Sequence, residues 1–270
     1  GIIQINLLID TIFASLLETG SPTWLYVSDR LIQFPMGIFA IAIGTVLLPT
    51  LSNLNSANDK GRFILNIKKG QRFVLFIGLP SLIGLFFCAE DLISTIFYRG
   101  EFTELDVIKS SYSLMAFSIG LPFFMLMKVL TPAFFARKDT KTPMYVALIS
   151  LLLNASLNYL LAFVLDYGHI GLAIGSSIAA LVSVLILEII LYKDGFIQIR
   201  GLFNKFNFII LLSSIFLIVF LNFYTTKTNF IEFNQIERFI YLSIEISVSI
   251  FIYFLIARFL NGEPLRTLFN

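Results

Sequence analysis

Residues 170–192 read IGLAIGSSIAALVSVLILEIILY, and this stretch decides the fold class. Glu188 is its only charged residue. At about 1.5 Å per residue, a helix of this length crosses the roughly 30 Å hydrocarbon core of a bilayer, for which about 20 apolar residues suffice. Apolar runs of the same kind recur at Ile2–Leu17, Trp24–Leu51, Phe73–Ala89, Ser111–Ala136, Met144–Leu165, Phe208–Tyr224 and Phe239–Leu260. Together they predict an all-α, polytopic membrane bundle of eight transmembrane helices. The first run is short because the chain starts within it. The third is short too, and Leu92–Tyr98 after it suits a segment lying along the interface. Nothing here resembles the weak alternating signal of outer-membrane barrel strands.

Composition agrees. Of 270 residues, 57% are hydrophobic and 13% charged, against about 25% charged in soluble domains. One soluble core could not hide so much apolar surface. A net charge of +2 implies no nucleic-acid partner. The single cysteine, Cys88, excludes an internal disulfide framework and reads as inert packing in an apolar run. The single histidine, His169, falls in a short Tyr-Gly-His-Ile loop, so a histidine-based catalytic or metal cluster is excluded. The chain opens at Gly1 inside an apolar run without a basic n-region, which is not a signal peptide, and it reads as part of something longer.

The distribution of charge carries more than its sum. Lys60, Arg62, Lys68, Lys69 and Arg72 follow the second run; Arg137, Lys138 and Lys141 the fourth; Lys193, Arg200 and Lys205 the sixth; Arg258 and Arg266 close the chain. Only Arg99, Lys109, Lys227 and Arg238 fall on the other side. Thirteen against four, alternating loop by loop, predicts both chain ends in the cytoplasm. Cytoplasmic loops are expected at 52–72, 137–143 and 193–205.

Arg30 and Lys128 are left inside the spans. Lys128 lies nine residues before Arg137, about 13 Å along a helix, close to the midplane. A charge there costs at least about 2.5–3.5 kcal/mol and normally faces a bundle interior or wet cavity; an internal ion pair is the plainer alternative. Asp29-Arg30 follows Trp24 and adjoins Tyr26, so an interfacial anchor in an aromatic belt competes with a cavity role. Asp10 sits mid-span with no adjacent cation and needs a partner on another helix or a proton. Glu188 can reach the cytoplasmic interface, and Glu245 reads as structural. Asn154 and Asn158 share a helix face at i,i+4, with Ser176 and Ser177 on the next helix. Asp10, Asn154, Asn158 and Ser177 form a candidate monovalent-cation site, for sodium or a proton. Helix glue is the alternative for the amide and small residues. Prolines at 35, 49, 80, 122, 132 and 143 are either ordinary membrane-helix prolines or hinges for a rocking transporter. No phosphate-binding or dinucleotide-binding loop occurs, and no resident cofactor is expected.

Two stretches carry a family likeness. Residues 4–52, with their SDRL, FPMGIF and GTVLLPTLS runs, resemble the seventh and eighth helices of the MurJ/MviN family. Residues 120–143, GLPFFMLMKVLTPAFFARKDTKTP, resemble its tenth helix and following loop. Beyond residue 200 only position and span count match. The resemblance implies the MOP/MATE-like flippase fold, of fourteen helices in two six-helix lobes plus a C-terminal pair. Residues 1–192 would then be the second transport lobe and 193–270 the two additional helices, with the first lobe absent as the partner. It further implies lipid II, the undecaprenyl-diphosphate-linked peptidoglycan precursor, as cargo. The expected site is the bacterial inner membrane, among membrane lipids, with Asp29, Arg30 and Lys128 toward a cationic cavity. A bare diphosphate could not cross hydrocarbon, and arginine pairs bidentately with phosphate. Rival readings are a flippase for another polyprenyl-linked glycan, a cation-coupled exporter, a scaffold, and a membrane-embedded enzyme. The enzyme reading lacks a His, Cys or paired-carboxylate cluster beside the spans.

Overall fold

The computed structural model describes residues 2–197, 205–225 and 230–260, and helices account for nearly all of them. In chain order these are α1 Ile2–Ser15, α2 Ser21–Pro35, α3 Ala42–Ser56, α4 Lys60–Phe87, α5 Ala89–Phe97, α6 Glu104–Ala136, α7 Lys141–Tyr159, α8 Gly168–Lys193, α9 Lys205–Thr225 and α10 Gln235–Leu260. A π-helical segment, Met36–Ile41, joins α2 to α3, so Ser21–Ser56 runs as one long helix. A second π-helical segment, Leu160–Val164, extends α7. Among the described residues, seven helices are long and apolar enough to cross a membrane. The described part of α1 has 14 residues, about 21 Å of helix, short of a full crossing. Arg200, Lys227 and Arg266 of the charge pattern lie outside the described residues, as does part of the expected 193–205 loop.

The helices outrun the apolar runs that announce them. Asp59 accepts the Arg62 backbone N–H and starts α4 at Lys60, so residues 60–72 are helix and the expected 52–72 loop shrinks to a short turn. Hydropathy marks where the bilayer sits, whereas capping marks where the helix begins. A Thr103–Asp106 capping box likewise starts α6 well before its apolar run. Asp139, between α6 and α7, accepts the Thr142 amide and hydroxyl at 3.0 and 2.6 Å. These donors hold its carboxyl below the usual range.

Helix α6 is the axle. It packs against α2, α3, α4, α5 and α8. Between the buried Leu114, Leu121, Met125, Leu130 and Phe134 it places buried Ser110, Ser111, Ser113, Ser118 and Gly120. Small residues let membrane helices approach where lipid offers no hydrophobic drive. Helices α9 and α10 pack outside α4 and α5 through a separate apolar cluster around Phe76, Ile83, Leu217 and Tyr253. The Tyr253 hydroxyl donates to the Phe76 carbonyl at 2.8 Å.

Helix ends gather as the charge alternation requires. Arg137 pairs with Asp194, whose carbonyl accepts from Lys60 at 3.2 Å. Phe196 lies between Lys60 and Arg137, with cation–ring distances of 4.5 and 4.4 Å. The start of α4 and the ends of α6 and α8 therefore share one end of the bundle. Lys109 meets Glu18 at 2.9 Å at the other. Of the candidate hinge prolines, Pro35 alone borders a change of helical register; Pro49, Pro80, Pro122 and Pro132 sit within continuous α-helix. The Leu160–Val164 segment contains no proline at all.

Candidate functional site

On α1, Asn6 lies one turn before Asp10 and donates to Asp10 Oδ2 at 3.1 Å. On α7, Asn158 donates to Asp10 Oδ1 at 2.7 Å and to Asn154 Oδ1 at 3.1 Å. Both carboxylate oxygens are thus met by amide donors from two helices. Asn154 and Asn158 are buried, and Asn158 Oδ1 is enclosed without a hydrogen-bond partner. The Asn154 amide reaches Ser176 Oγ on α8 at 3.1 Å. Turned over, it would donate to Asp10 Oδ1 and Asn6 Oδ1 and accept from Ser176.

The geometry of α8 makes this meeting possible. Asp166 and Gly168 adopt positive φ, closing a tight turn that lays α8 antiparallel against α7, as the short Asp-Tyr-Gly-His connection requires. Gly171 and Gly175 then form a Gly-x-x-x-Gly face. A Cβ on Gly171 would sit 2.8 Å from the Ala162 nitrogen, and one on Gly175 only 2.2 Å from Asn158 Oδ1. This close approach brings α8 to the asparagines.

Ser177 does not join them. Its hydroxyl donates to the carbonyls of Ala116 on α6 and Ala173 on α8, at 2.9 and 3.0 Å. Successive helical residues are rotated about 100° apart, so Ser176 faces the asparagines while Ser177 faces α6. The hydroxyl expected of Ser177 is supplied by Ser176.

Lys128 opens onto the same place. A cavity of about 300 Å³ is lined by Lys128, Asn6, Asn154, Ser176, Met36 and Phe124, among others. Lys128 is exposed and makes no ion pair among the described residues, so the ion-pair alternative has no support. Gly44 of α3 packs against its backbone, where a Cβ would come within 3.1 Å of the Lys128 carbonyl oxygen. Asp29, bonded to Gln33, lies within electrostatic reach of Asp10. Arg30 is exposed and stacks on Tyr26, 4.7 Å from the ring centroid. Trp24 is not part of an aromatic belt: it is 2% exposed, and its indole N–H donates to Asp106 Oδ1 at 2.7 Å. The structure thus links Asp10, Asn154 and Asn158 directly, adds Lys128 through the cavity, and sets Asp29-Arg30 nearby.

Two participants were missed by sequence reasoning, and His169, outside the cluster, was misplaced. Asn6 carried a signal, its i,i+4 spacing to Asp10; Gly175 carried one as well, its spacing from Gly171. His169 was read as a loop residue. It is buried in the first turn of α8, with Nδ1 2.7 Å from Ser113 Oγ and its ring edge-on to Trp24.

Comparison with known proteins bears on the chain as a whole. The family model described as "Lipid II flippase MurJ" matches residues 1–260. A Vibrio cholerae protein named "Probable lipid II flippase MurJ" is 45% identical over 192 residues, which is 71% of this chain and 36% of that relative. A Buchnera aphidicola protein of the same name, from the Schizaphis graminum symbiont, is 35% identical over 264 residues, 96% of this chain and 50% of the relative. Among solved structures, "Lipid II flippase MurJ, inward closed conformation" superposes with a TM-score of 0.77 at 29% identity, covering 96% of this chain and 51% of that one. An outward-facing MATE-family transporter of the MOP superfamily gives 0.65 at 15% identity, a likeness of fold alone. The chain spans roughly a third to a half of the curated relatives it matches.

Proposed function

Because this chain belongs to the lipid II flippase MurJ family, we propose that it forms the second lobe of a transporter that moves lipid II from the cytoplasmic to the periplasmic leaflet of the bacterial inner membrane. Residues 1–192 form the six-helix lobe and 193–270 the additional helix pair. Both ends of the chain face the cytoplasm, with a first lobe of the family's kind completing the cargo cavity. The observation that carries this reading is Lys128: an exposed cation with no ion pair among the described residues, opening on a cavity where Asn6, Asn154 and Ser176 stand among apolar side chains. A membrane protein holds such a charge where an anion or water meets it. Lys128 and Arg30 engage the diphosphate, Tyr26 holds Arg30 by stacking, Asp29 lies beside them bonded to Gln33, and rocking of the lobes alternates access.

The cluster of Asp10, Asn154 and Asn158, with Asn6 and Ser176 in place of Ser177, binds a monovalent cation that couples to transport. Its chemistry fits: a carboxylate, amide carbonyls and a hydroxyl are the oxygen ligands that hard cations take. The orphaned Asn158 Oδ1 supplies an acceptor without breaking the fold. A cation there would hold α1, α7 and α8 together beside the cargo cavity.

The test is replacement. A chimera carrying the first half of the Vibrio cholerae relative and residues 1–270 of this chain should support growth of a strain depleted of its own lipid II flippase. A chimera that is stably inserted yet inert toward lipid II in vesicles would overturn the reading.

A further inference from the structure

Helix α10 meets α5 through two carboxyl groups that the cavity does not use. Asp91, in the first turn of α5, is 6% exposed, and Glu245 on α10 is fully buried. Their carboxyl groups are close neighbours, each acting on the other. The Cys88 thiol donates to Glu245 Oε1 at 3.2 Å, so this cysteine is more than inert packing. Asp91 Oδ2 and Glu245 Oε2 are left, each enclosed and each without a partner. An apolar cluster that includes Cys88 and Tyr253, with Leu92 packed on it, surrounds the junction.

No described cation relieves them. Arg238 on α10 is committed to the carbonyls of Phe230, Ile231 and Ser94 and lies over the Tyr98 ring. The other titratable groups within reach are Glu90 on α5, Cys88 at the end of α4, and Tyr224 on α9 with Tyr241 on α10 beside it. All of these are neutral or anionic. Two adjacent buried carboxylates without a counter-charge cannot both stay ionised.

We infer that Asp91 and Glu245 form a proton-binding site, in which one proton held between Asp91 Oδ2 and Glu245 Oε2 fastens α10 to α5. The ligand is a proton because it satisfies both orphaned oxygens at once and needs nothing further. A hard metal cation takes about six oxygens, and no metal-holding group of three acidic, Cys or His side chains exists among the described residues. Burial, then Glu245 and Glu90, push the Asp91 carboxyl up to about 8. The sign follows. The folded protein keeps a proton that the unfolded chain releases near the ordinary value of 3.8, so this stabilisation is full below that value. It declines as pH rises, and is gone once pH passes about 8. The site does not depend on the cargo.

The experiment follows thermal midpoints of the intact protein in detergent from about pH 5 to 9. The wild type should lose stability progressively up to about pH 8 and then level off. Asp91→Asn supplies an amide donor in place of the shared proton; it should match the wild type near pH 5 and exceed it at pH 9. Glu245→Gln is the second variant, and it should flatten the profile in the same way should asparagine fit poorly at position 91. Difference infrared spectra at neutral pH should show a protonated-carboxyl band that Asp91→Asn removes. Unchanged slopes in both variants, or absence of that band, would overturn the proposal. So would sodium at pH 9 restoring the wild-type midpoint but not that of Asp91→Asn, which would make the pair a metal site.

Discussion

Gly175→Ala probes the Asp10–Asn158 cluster without replacing any of its polar side chains. The new methyl would lie 2.2 Å from Asn158 Oδ1 and 3.4 Å from Asn158 Cγ and N. Ordinary contact is about 3.5–4.0 Å, so the amide must retreat by about 1 Å or more. Oδ1 ends a flexible side chain and could swing aside cheaply, were its Nδ2 not already bonded to Asp10 and Asn154. Moving the amide breaks the 2.7 Å bond to Asp10. A hydrogen bond to a charged group is worth about 1.5–3 kcal/mol, offset by about 1 kcal/mol of helix propensity gained from alanine. The net expectation is a loss of about 0.5–2 kcal/mol, together with loss of any stabilisation by sodium. Gly84→Ala is the control: nothing lies within 4 Å of its Cβ position, so it should be neutral or mildly stabilising. Thermal midpoints of both variants, with and without sodium, read the difference. Gly175→Ala behaving like Gly84→Ala, with the sodium response intact, would refute the assigned geometry.

Four further outcomes are expected. In the chimera, Arg30→Ala and Lys128→Ala should insert normally but transport at least 10-fold less, since each forfeits about 1.5–3 kcal/mol of charge-assisted contact; full activity in both would remove them from the cargo site. Arg30→Lys should recover only part, because it keeps the charge and loses the bidentate fork. Sodium at about 100 times its dissociation constant should stabilise the wild type by about 2.7 kcal/mol and Asp10→Asn hardly at all; equal responses would eliminate the site. In a Cys88→Ser background, cysteines at Asn58 and Lys138 should resist an impermeant thiol reagent added outside while one at Glu101 labels, and the reverse pattern would invert the topology. Glu101 suits the outer position because it is exposed.

The membrane class and most of the spans were legible because apolar run length is a property of the chain alone. Helix starts were not, since Asp59 and Thr103 act through caps outside the apolar runs. Asp10, Asn154 and Asn158 could be picked out because an unpaired polar side chain at mid-span demands a partner, and their spacing fixed which face it occupied. Which serine completed the set could not be read, because the rotation of α8 about its axis is decided by Gly171 and Gly175 meeting α7 and by Gly120 meeting Ser177. Asp91 stayed hidden for a related reason. It stands in a short amphipathic segment where an acid looks solvated, and only the docking of α10 covers it.

Asp10 and Asp91 therefore show two ways of keeping a carboxyl group out of water, and the difference decides what each can sense. Around Asp10 the neighbours are amides and a hydroxyl, groups that donate or accept by rotating. They serve the carboxylate with no ion present, and their oxygens are the ligands that the proposed cation would draw inward. Around Asp91 the fixed neighbours are another carboxyl and a thiol already committed to Glu245. Neither can donate to Asp91 Oδ2 by turning, so only a proton closes the gap. The first cluster should answer to sodium concentration and the second to pH. Because Asp10 lies on α1 and Asp91 on α5, with no described contact between them, the two responses should be separable. Asp10→Asn should leave the alkaline loss of stability in place, and Asp91→Asn should leave the sodium stabilisation in place. If either substitution abolished both responses, the carboxyl groups would be one coupled system, and assigning a separate ligand to each would be wrong.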